Sequence, residues 1–173
     1  MRNLILYSAA SLDGYIAGPD HETDWLFTAG DYGYATFYNS IDTTVSGYNT
    51  YKLALSFSSF PYPDKTNFVF SRHQHSQVNS PVKFIPDDPA EFIRELKNKP
   101  GKDIWLVGGG QINTIMLNSY LIDEMIISIH PIILGDGIPL FAGSPVRNDL
   151  ILTDSLSYPD GLVQVTYKCK NQL

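Results

Sequence analysis

Residues 103–119, DIWLVGGGQINTIMLNS, decide the fold of this chain. Residues 104–107 are a continuous apolar run of strand length, and the three glycines at 108–110 end it. Apolar residues then recur at helical spacing over 111–117. The stretch therefore predicts a buried strand, a glycine turn and a helix.

The glycine turn has two interpretations. Three residues without a Cβ let the backbone pass close to a ligand, and the free N–H groups and dipole of the next helix favour an anion such as a phosphate. The alternative is that the glycines only let the chain reverse over the helix end. The motif is neither GxGxxG nor a P-loop, because Gln111 and not Lys follows Gly110. This stretch by itself leaves both interpretations open.

A second strand, glycine and helix start follows the same plan at residues 41–55. Residues 41–46 read as a short strand, Gly47 breaks it, and a helix can follow with Asn49 or Thr50 as its cap. Two such places in one chain favour a two-ended phosphate clamp over two purely structural turns.

Composition excludes several classes of function. The chain has 173 residues, 43% of them hydrophobic and 17% charged, which predicts a single folded domain over 1–173. A net charge of -6 without a run of Lys or Arg argues against nucleic acid as a partner. Because Cys169 is the single cysteine and no apolar span of about 18 residues occurs, we expect a cytoplasmic protein without membrane contact.

The remaining segments complete an alternating pattern. Residues 3–10 read as a buried strand that runs into a loop rich in Gly, Pro and Asp, and Asp88-Pro89 starts a helix. Asp160-Gly161 signals a hairpin between the last two strands. The order β-α-β-α-β-β-α-β-α-β and then a β-hairpin predicts an α/β fold, with a mixed, mostly parallel sheet and helices on both faces.

Polar residues after the strand at 65–71 add a third candidate contact. Ser71 and Arg72 place a hydroxyl and a guanidinium just past a strand end, a pair that suits a phosphate monoester. A solvated strand end is the alternative. His73 and His75 lie in a polar loop without other ligand types at a metal-site spacing, so we predict no metal.

Taken in order, these segments resemble the dihydrofolate reductase fold, which has three layers. Within it the chain resembles the reductase domain of bacterial riboflavin-biosynthesis deaminase-reductases and their stand-alone relatives. The resemblance covers nearly the whole chain. Its markers are SLDGYIA (11–17), VSGYNTY (45–51), FVFSR (68–72), WLVGGGQI (105–112) and HPIILGDGIPLF (130–141).

The resemblance implies NADPH as the cofactor. The residues that match cofactor-binding positions are Ala9 and Ile16 beside the nicotinamide amide, Gly47, Asn49 and Thr50 at the pyrophosphate, Ser71 and Arg72 near the adenosine 2′-phosphate, and Gly108, Gly109, Gly110, Gln111 and Ile112 at the nicotinamide ribose and pyrophosphate. In the family, the peptide between the first two glycines of the triplet is cis. Family members often carry Arg at the positions of Tyr48 and Gln111, so preference for NADPH over NADH rests here on Arg72.

The resemblance also suggests a catalytic acid and a flap. Dihydrofolate reductases carry an acidic residue at the start of the helix before the second strand, where it protonates and orients the pterin. Counted back from Gly47, Asp31 falls at about that spacing, with a helix N-cap as its alternative role. The expected flap over the cofactor is residues 14–22, and the loop that contains Asp136 is expected to brace it.

The function that the resemblance implies is an NADPH-dependent reductase. Its substrate would be a small heterocycle, either a pterin such as dihydrofolate or a pyrimidine of the 5-amino-6-(5-phosphoribosylamino)uracil type, held between the flap and the aromatic helix at 34–38. Such a site needs little acid-base machinery, because the nicotinamide supplies the chemistry. The competing hypothesis is a non-catalytic, dimeric nucleotide-binding protein with the same fold. Since relatives of the riboflavin type are often dimers, a homodimer is expected.

Overall fold

The computed structural model describes residues 1–56, 60–73 and 82–170, which form ten strands and four helices. The strands are β1 (Leu4–Ser11), β2 (Tyr15–Ala17), β3 (Ile41–Gly47), β4 (Thr66–Phe70), β5 (Lys83–Ile85), β6 (Asp103–Gly108), β7 (Glu124–His130), β8 (Ile138–Pro139), β9 (Leu150–Ser157) and β10 (Val163–Cys169). The helices are α1 (Tyr34–Ser40), α2 (Tyr48–Leu55), α3 (Pro89–Lys97) and α4 (Gly110–Asn118).

One sheet of eight strands carries the fold, in the order β5-β4-β3-β6-β1-β7-β10-β9. Strand β10 runs antiparallel to β7 and β9, and the other neighbouring pairs are parallel. The predicted mixed, mostly parallel sheet with a C-terminal hairpin is therefore confirmed. Apart from the short strands β2 and β8, the element order is also the predicted one.

Helices cover both faces of this sheet. On one face α3 and α4 bury Ile93 and Met116 against the central strands, where Leu4, Leu6 and Leu106 are inaccessible to solvent. On the other face lie α1 and α2, which contribute buried aromatic residues. Central strands that are buried on both sides read as continuous apolar runs, which is why β1 and β6 could be recognised from sequence. None of the helices in the described ranges is long and apolar enough to cross a membrane.

Two local predictions about helix starts had different outcomes. Asp88 caps α3 as predicted, since its Oδ1 accepts from the N–H groups of Ala90 and Glu91, both at 2.9 Å. The predicted cap of α2 by Asn49 or Thr50 is wrong. That helix already begins at Tyr48, its N-cap is Gly47, and no side chain caps it.

A second, smaller sheet was not predicted. Strands β2 and β8 pair antiparallel over two or three residues each, too short for any periodic signal in the sequence. The pair joins residues 15–17 of the expected flap to the loop after β7. A backbone hydrogen bond from Leu140 N to Gly14 O, at 2.9 Å, continues this connection.

Candidate functional site

The glycine turn after β6 packs directly against the start of α2. The Gly108–Gly109 peptide is cis, as the resemblance implied, and Gly109 N donates to Thr50 Oγ1 at 3.0 Å. A Cβ on Gly110 would lie 2.3 Å from the carbonyl oxygen of Pro139. This backbone contact leaves no space for a side chain there.

Two helix N-termini meet at the same edge of the sheet. Strands β3 and β6 are parallel neighbours, so the helices that follow them, α2 and α4, start side by side. A Cβ on Gly47 would lie 3.1 Å from Ile112 Cγ1, which shows how closely the two starts approach. Unlike α3, neither helix has a side-chain cap. Uncapped helix starts of this kind are common anion-binding places in proteins.

A cleft of about 1040 Å³ runs along these carboxyl-terminal strand ends. Its lining includes every predicted cofactor residue except Gly108, which is buried in the turn. The structure thus brings together residues from β1, β2, α2, α4 and the segment after β4. In parallel sheets of this kind, ligands bind in the crevice outside the carboxyl ends of the strands.

The carboxylate of Asp13, the residue just before the expected flap, ties the start of the flap to the loop after β7. Asp13 accepts from the N–H groups of Leu134 at 3.1 Å and Gly135 at 2.8 Å, and from the Ser11 hydroxyl at 2.7 Å. The hydrogen bond from Ser11 is the main reason that the pKa of Asp13 lies below its usual value. The loop that contains Asp136 therefore does contact the flap, but the carboxylate in this contact is Asp13.

One end of the cleft is an aromatic compartment, which we define by Tyr7, Tyr62 and Trp105. The Tyr62 and Trp105 ring centroids lie 4.8 Å apart at 66°, and those of Tyr7 and Trp105 lie 6.1 Å apart at 85°. Phe37 of α1 stacks on Tyr7 at 4.2 Å, and it is not part of the cleft lining. Helix α1, which was expected to hold the substrate, contributes no residue to the cleft lining, and its Phe37 supports the compartment through Tyr7.

Sequence reasoning missed these three residues, although part of the signal was present. Tyr7 lies two residues before Ala9 and Trp105 two residues before Val107, so each shares a strand face with its partner. All four line the cleft. Only the parallel register of β1 and β6, in which Leu6 lies beside Leu106, brings the two pairs together.

The phenols of the compartment are neutral at physiological pH. Burial is the largest cause that raises the pKa of Tyr7, and a hydrogen bond with Gln164 lowers it in part. Burial also raises the pKa of Tyr62. Gln164 is itself buried, and its amide donates to Ser128 Oγ at 3.0 Å. This hydrogen bond holds the Gln164 side chain in place beside Tyr7.

Asp31, the predicted catalytic residue, lies outside the lining of the cleft. Its side chain is exposed, and its Oδ1 accepts from Ala35 N at 3.0 Å in the first turn of α1. The alternative role of Asp31 as the N-cap is wrong, because the N-cap of α1 is Gly33, although the Asp31 carboxylate does accept from an N–H of the first turn. A catalytic role for Asp31 stays a prediction.

The phosphate contacts predicted after β4 lie two strands away from β6, the strand that carries Trp105 of the aromatic compartment. Ser71 and the exposed Arg72 both line the cleft there, and Ser71 N donates to Ile85 O at 3.1 Å. His73 is the last described residue of this segment, and His75 lies outside the described residues.

A buried histidine that the sequence analysis did not single out fixes the segment between the flap and α1. His130 is 3% exposed and lies between the rings of Trp25 and Phe27. Its Nε2 accepts from Phe27 N at 3.1 Å, and its Nδ1 faces Ser128 O at 3.2 Å. The neutral form with the proton on Nδ1 satisfies both contacts. Burial lowers the pKa of His130.

Comparison with known proteins now defines the family. Residues 2–164 match the model of the RibD C-terminal domain. The chain belongs to this family. The RibD C-terminal domain is the reductase domain of riboflavin biosynthesis, so the family supports a reductase.

Individual relatives agree with this assignment. The chain is 36% identical to the uncharacterised protein YyaP of Bacillus subtilis (strain 168), over 96% of this chain and 94% of YyaP. A crystal structure from Shewanella sp. PV-4, of a protein provisionally assigned to riboflavin biosynthesis, is 31% identical with a TM-score of 0.86 and covers 97% of this chain and 99% of that one. This likeness confirms the predicted fold class.

A more distant neighbour is a larger protein. The diaminohydroxyphosphoribosylaminopyrimidine deaminase/5-amino-6-(5-phosphoribosylamino)uracil reductase of Thermotoga maritima superposes with a TM-score of 0.73 at 17% identity. The match covers 97% of this chain but 56% of that protein. At this identity the likeness supports the fold alone.

Proposed function

We propose that this RibD C-terminal domain protein is an NADPH-dependent reductase that transfers a hydride to a small heterocycle, a pterin such as dihydrofolate or a pyrimidine. The observation that carries the proposal is the pair of uncapped helix N-termini, at Gly47 and Gly109, in a cleft that continues into the aromatic compartment. A dinucleotide phosphate suits the first part and a flat ring the second.

The residues present fit such a cofactor. The starts of α2 and α4 offer backbone N–H groups to the pyrophosphate, and no side chain at Gly47, Gly109 or Gly110 intrudes. Arg72 would hold the 2′-phosphate through charge-assisted hydrogen bonds. Bound NADPH supplies the hydride.

The rest of the site aligns the reactants and excludes water. Ala9 and Ile16 line the cleft where the backbone would orient the nicotinamide amide. The pairing of β2 with β8 and the hydrogen bonds of Asp13 would hold the flap over this position. Correct alignment supplies much of the rate of a hydride transfer, because it converts an encounter of two molecules into a reaction within one complex.

Titration of the protein with NADPH and NADH side by side tests the proposal. Tryptophan fluorescence and thermal unfolding are both suitable readouts. We expect sub-millimolar binding of NADPH, weaker binding of NADH and a higher unfolding temperature with NADPH. Absence of binding and of stabilisation with both cofactors would refute the proposed function.

The competing function is a non-catalytic nucleotide-binding protein with the same fold. The position of Asp31 outside the cleft is the observation that favours it. NADPH oxidation with dihydrofolate or with a pyrimidine substrate separates the two functions. A reductase oxidises NADPH only when the acceptor is present, and the Asp31→Asn variant retains this activity if Asp31 is structural. Tight NADPH binding without oxidation by any acceptor would favour the competing function.

A further inference from the structure

The cations of the cleft lie at one end. All 12 Lys and Arg residues of the chain fall within the described ranges, and two of them, Lys52 and Arg72, line the cleft. Lys52 Nζ lies 5.4 Å from the ring centroid of Tyr48, which packs against Phe84 of the edge strand β5. Both cations therefore lie toward the β5 edge, where we place the adenosine end of the cofactor.

The aromatic compartment at the other end holds no cation among the described residues that line it. Its walls are the three aromatic side chains, with Leu53 and Val107 beside them. Lys65 lies nearby but is already paired, since its Nζ is 3.2 Å from Asp64 Oδ2 and 4.1 Å from the ring centroid of Tyr38. Its side chain is 8% exposed and is not part of the cleft lining.

A side pocket extends the aromatic compartment. This cavity of about 170 Å³ shares Thr50, Leu53, Tyr62 and Val107 with the cleft. Most of its wall is apolar, and its Thr44 hydroxyl is satisfied by Asn67 Oδ1 at 2.6 Å. A cavity on the order of 150 Å³ with an apolar lining is large enough for a benzene ring. The side pocket therefore suits an apolar substituent.

We infer that the substrate is an uncharged, flat heteroaromatic ring with an apolar substituent, and that the compartment rejects phosphorylated compounds. The ring lies between the nicotinamide and the surface that Tyr7, Tyr62 and Trp105 form together, and its substituent enters the side pocket. This inference rests on the proposed function, because the ring must face the hydride donor. Among the heterocycles considered above, it selects a simple uncharged pterin or pyrimidine ring. It excludes the phosphoribosyl pyrimidine, and it also excludes dihydrofolate, whose glutamate tail carries two carboxylates.

The physical reason is desolvation. A phosphate placed among aromatic side chains loses its hydration, and no cation in the compartment replaces it. A neutral ring gains offset-stacked or edge-to-face contacts with three aromatic side chains and loses little hydration.

The reaction balances with water as the proton source. The nicotinamide C4–H bond breaks, and its hydride forms a new C–H bond at the carbon of a ring C=N group. The π electrons of that group move to nitrogen, which takes a proton from water. The products are the dihydro ring and oxidised cofactor, so no further oxidant or reductant is needed.

A series of three flavin ligands, of which one carries a phosphate group, tests the inference. Lumichrome is a neutral ring with methyl substituents, riboflavin adds an uncharged ribityl chain, and FMN adds a phosphate to riboflavin. Each is titrated into protein saturated with NADP⁺. The Trp25→Phe variant leaves Trp105 as the single tryptophan, so that quenching reports binding in the compartment.

We expect lumichrome and riboflavin to bind about tenfold or more tightly than FMN, a difference that an uncompensated phosphate readily produces. The Tyr62→Ala variant should weaken lumichrome binding about tenfold through loss of ring contacts, and Tyr62→Phe should restore it. The Leu53→Arg variant should improve FMN binding relative to riboflavin, because it brings a cation to the compartment.

The outcomes separate this inference from the proposed function. Equal or tighter binding of FMN in the wild-type compartment would overturn the inference, as would normal NADPH binding without any binding of lumichrome or riboflavin. Loss of NADPH binding itself would instead refute the proposed function. Thermal unfolding of the Tyr62 variants without any ligand serves as the control for folding.

Discussion

At the scale of single residues, Arg72 carries the preference for NADPH over NADH. It is exposed at the cofactor end of the cleft, and the other cation of the cleft lining, Lys52, lies beside Tyr48. A charge-assisted hydrogen bond to a phosphate contributes roughly 1.5–3 kcal/mol. The Arg72→Ala variant should therefore bind NADPH about tenfold or more weakly and leave NADH binding unchanged, as measured by fluorescence titration.

A neighbouring cation provides the control for this prediction. Lys83 is exposed on β5 and does not line the cleft, so Lys83→Ala should affect neither cofactor. An equal loss of NADPH and NADH affinity in Arg72→Ala would assign Arg72 to a part of the cofactor that both share.

His130 should make the stability of the fold depend on pH. Its Nε2 accepts from Phe27 N, so protonation removes an acceptor inside a buried aromatic contact. Burial holds its folded-state pKa below the ordinary value of 6.5, so the unfolded chain takes up the proton first as the pH falls. The contribution of His130 to stability is therefore complete above the unfolded-state pKa and is lost as the pH falls through the folded-state value.

Urea unfolding between pH 7.5 and pH 5 measures this effect. The wild type should lose more stability over this range than the His130→Gln variant, whose side chain does not titrate. The carboxylates are common to both proteins, so their contributions cancel in the comparison. The same pH slope in both proteins would exclude His130 as the titrating group.

At the scale of elements, the glycine turn and α4 form a fixed unit because backbone atoms fill the space around Gly110. A Cβ there would lie 2.3 Å from the backbone oxygen of Pro139, whereas a Cβ on Gly47 would lie 3.1 Å from Cγ1 of the Ile112 side chain, which can shift by a few tenths of an ångström. Gly110→Ala should therefore cost roughly 1–3 kcal/mol of unfolding free energy, and Gly47→Ala distinctly less. Urea denaturation without cofactor compares the two variants, and equal losses would show that the loop with Pro139 moves freely.

The elements that could be predicted from sequence are those with a local cause. Strand β6 and helix α4 follow from an apolar run, a glycine turn and helical spacing, and the start of α3 follows from Asp88. The cap of α2 could not be predicted. Its N-cap, Gly47, lies close to Ile112 of helix α4, and no local pattern in the sequence reveals this contact. The small sheet of β2 and β8 is too short to produce a pattern.

The candidate site likewise has residues that the sequence revealed and residues that it did not. Its glycines and Arg72 were found because each lies at the end of a recognisable strand. The aromatic compartment was missed because Tyr7 and Trp105 lie 98 residues apart, and the parallel pairing of β1 with β6 alone makes them neighbours. The aromatic residues of helix α1 led to the prediction that this helix holds the substrate. In the structure, Phe37 stacks on Tyr7 instead of lining the cleft.

At the scale of the whole molecule, β9 is an edge strand that the other described elements leave exposed. It is the last strand of the eight-stranded sheet, and all its residues are exposed, among them Leu152 at 52% and Leu156 at 48%. Strand β10 pairs with one side of β9, so the backbone groups of the other side are available for pairing. Soluble proteins normally protect such an edge with charges, with a bulge or with another chain.

A homodimer, already expected from the resemblance, would cover this strand. A second copy offers the same unpaired edge and the same leucines, so the two surfaces are complementary under twofold symmetry. Sedimentation equilibrium should therefore give twice the chain mass of 19.3 kDa, and Leu152→Glu should shift the protein to monomer. Ile133→Glu is the matched control, since Ile133 is 63% exposed in the loop after β7. A wild type that stays monomeric at high concentration, or a control that dissociates equally, would exclude β9 as the contact.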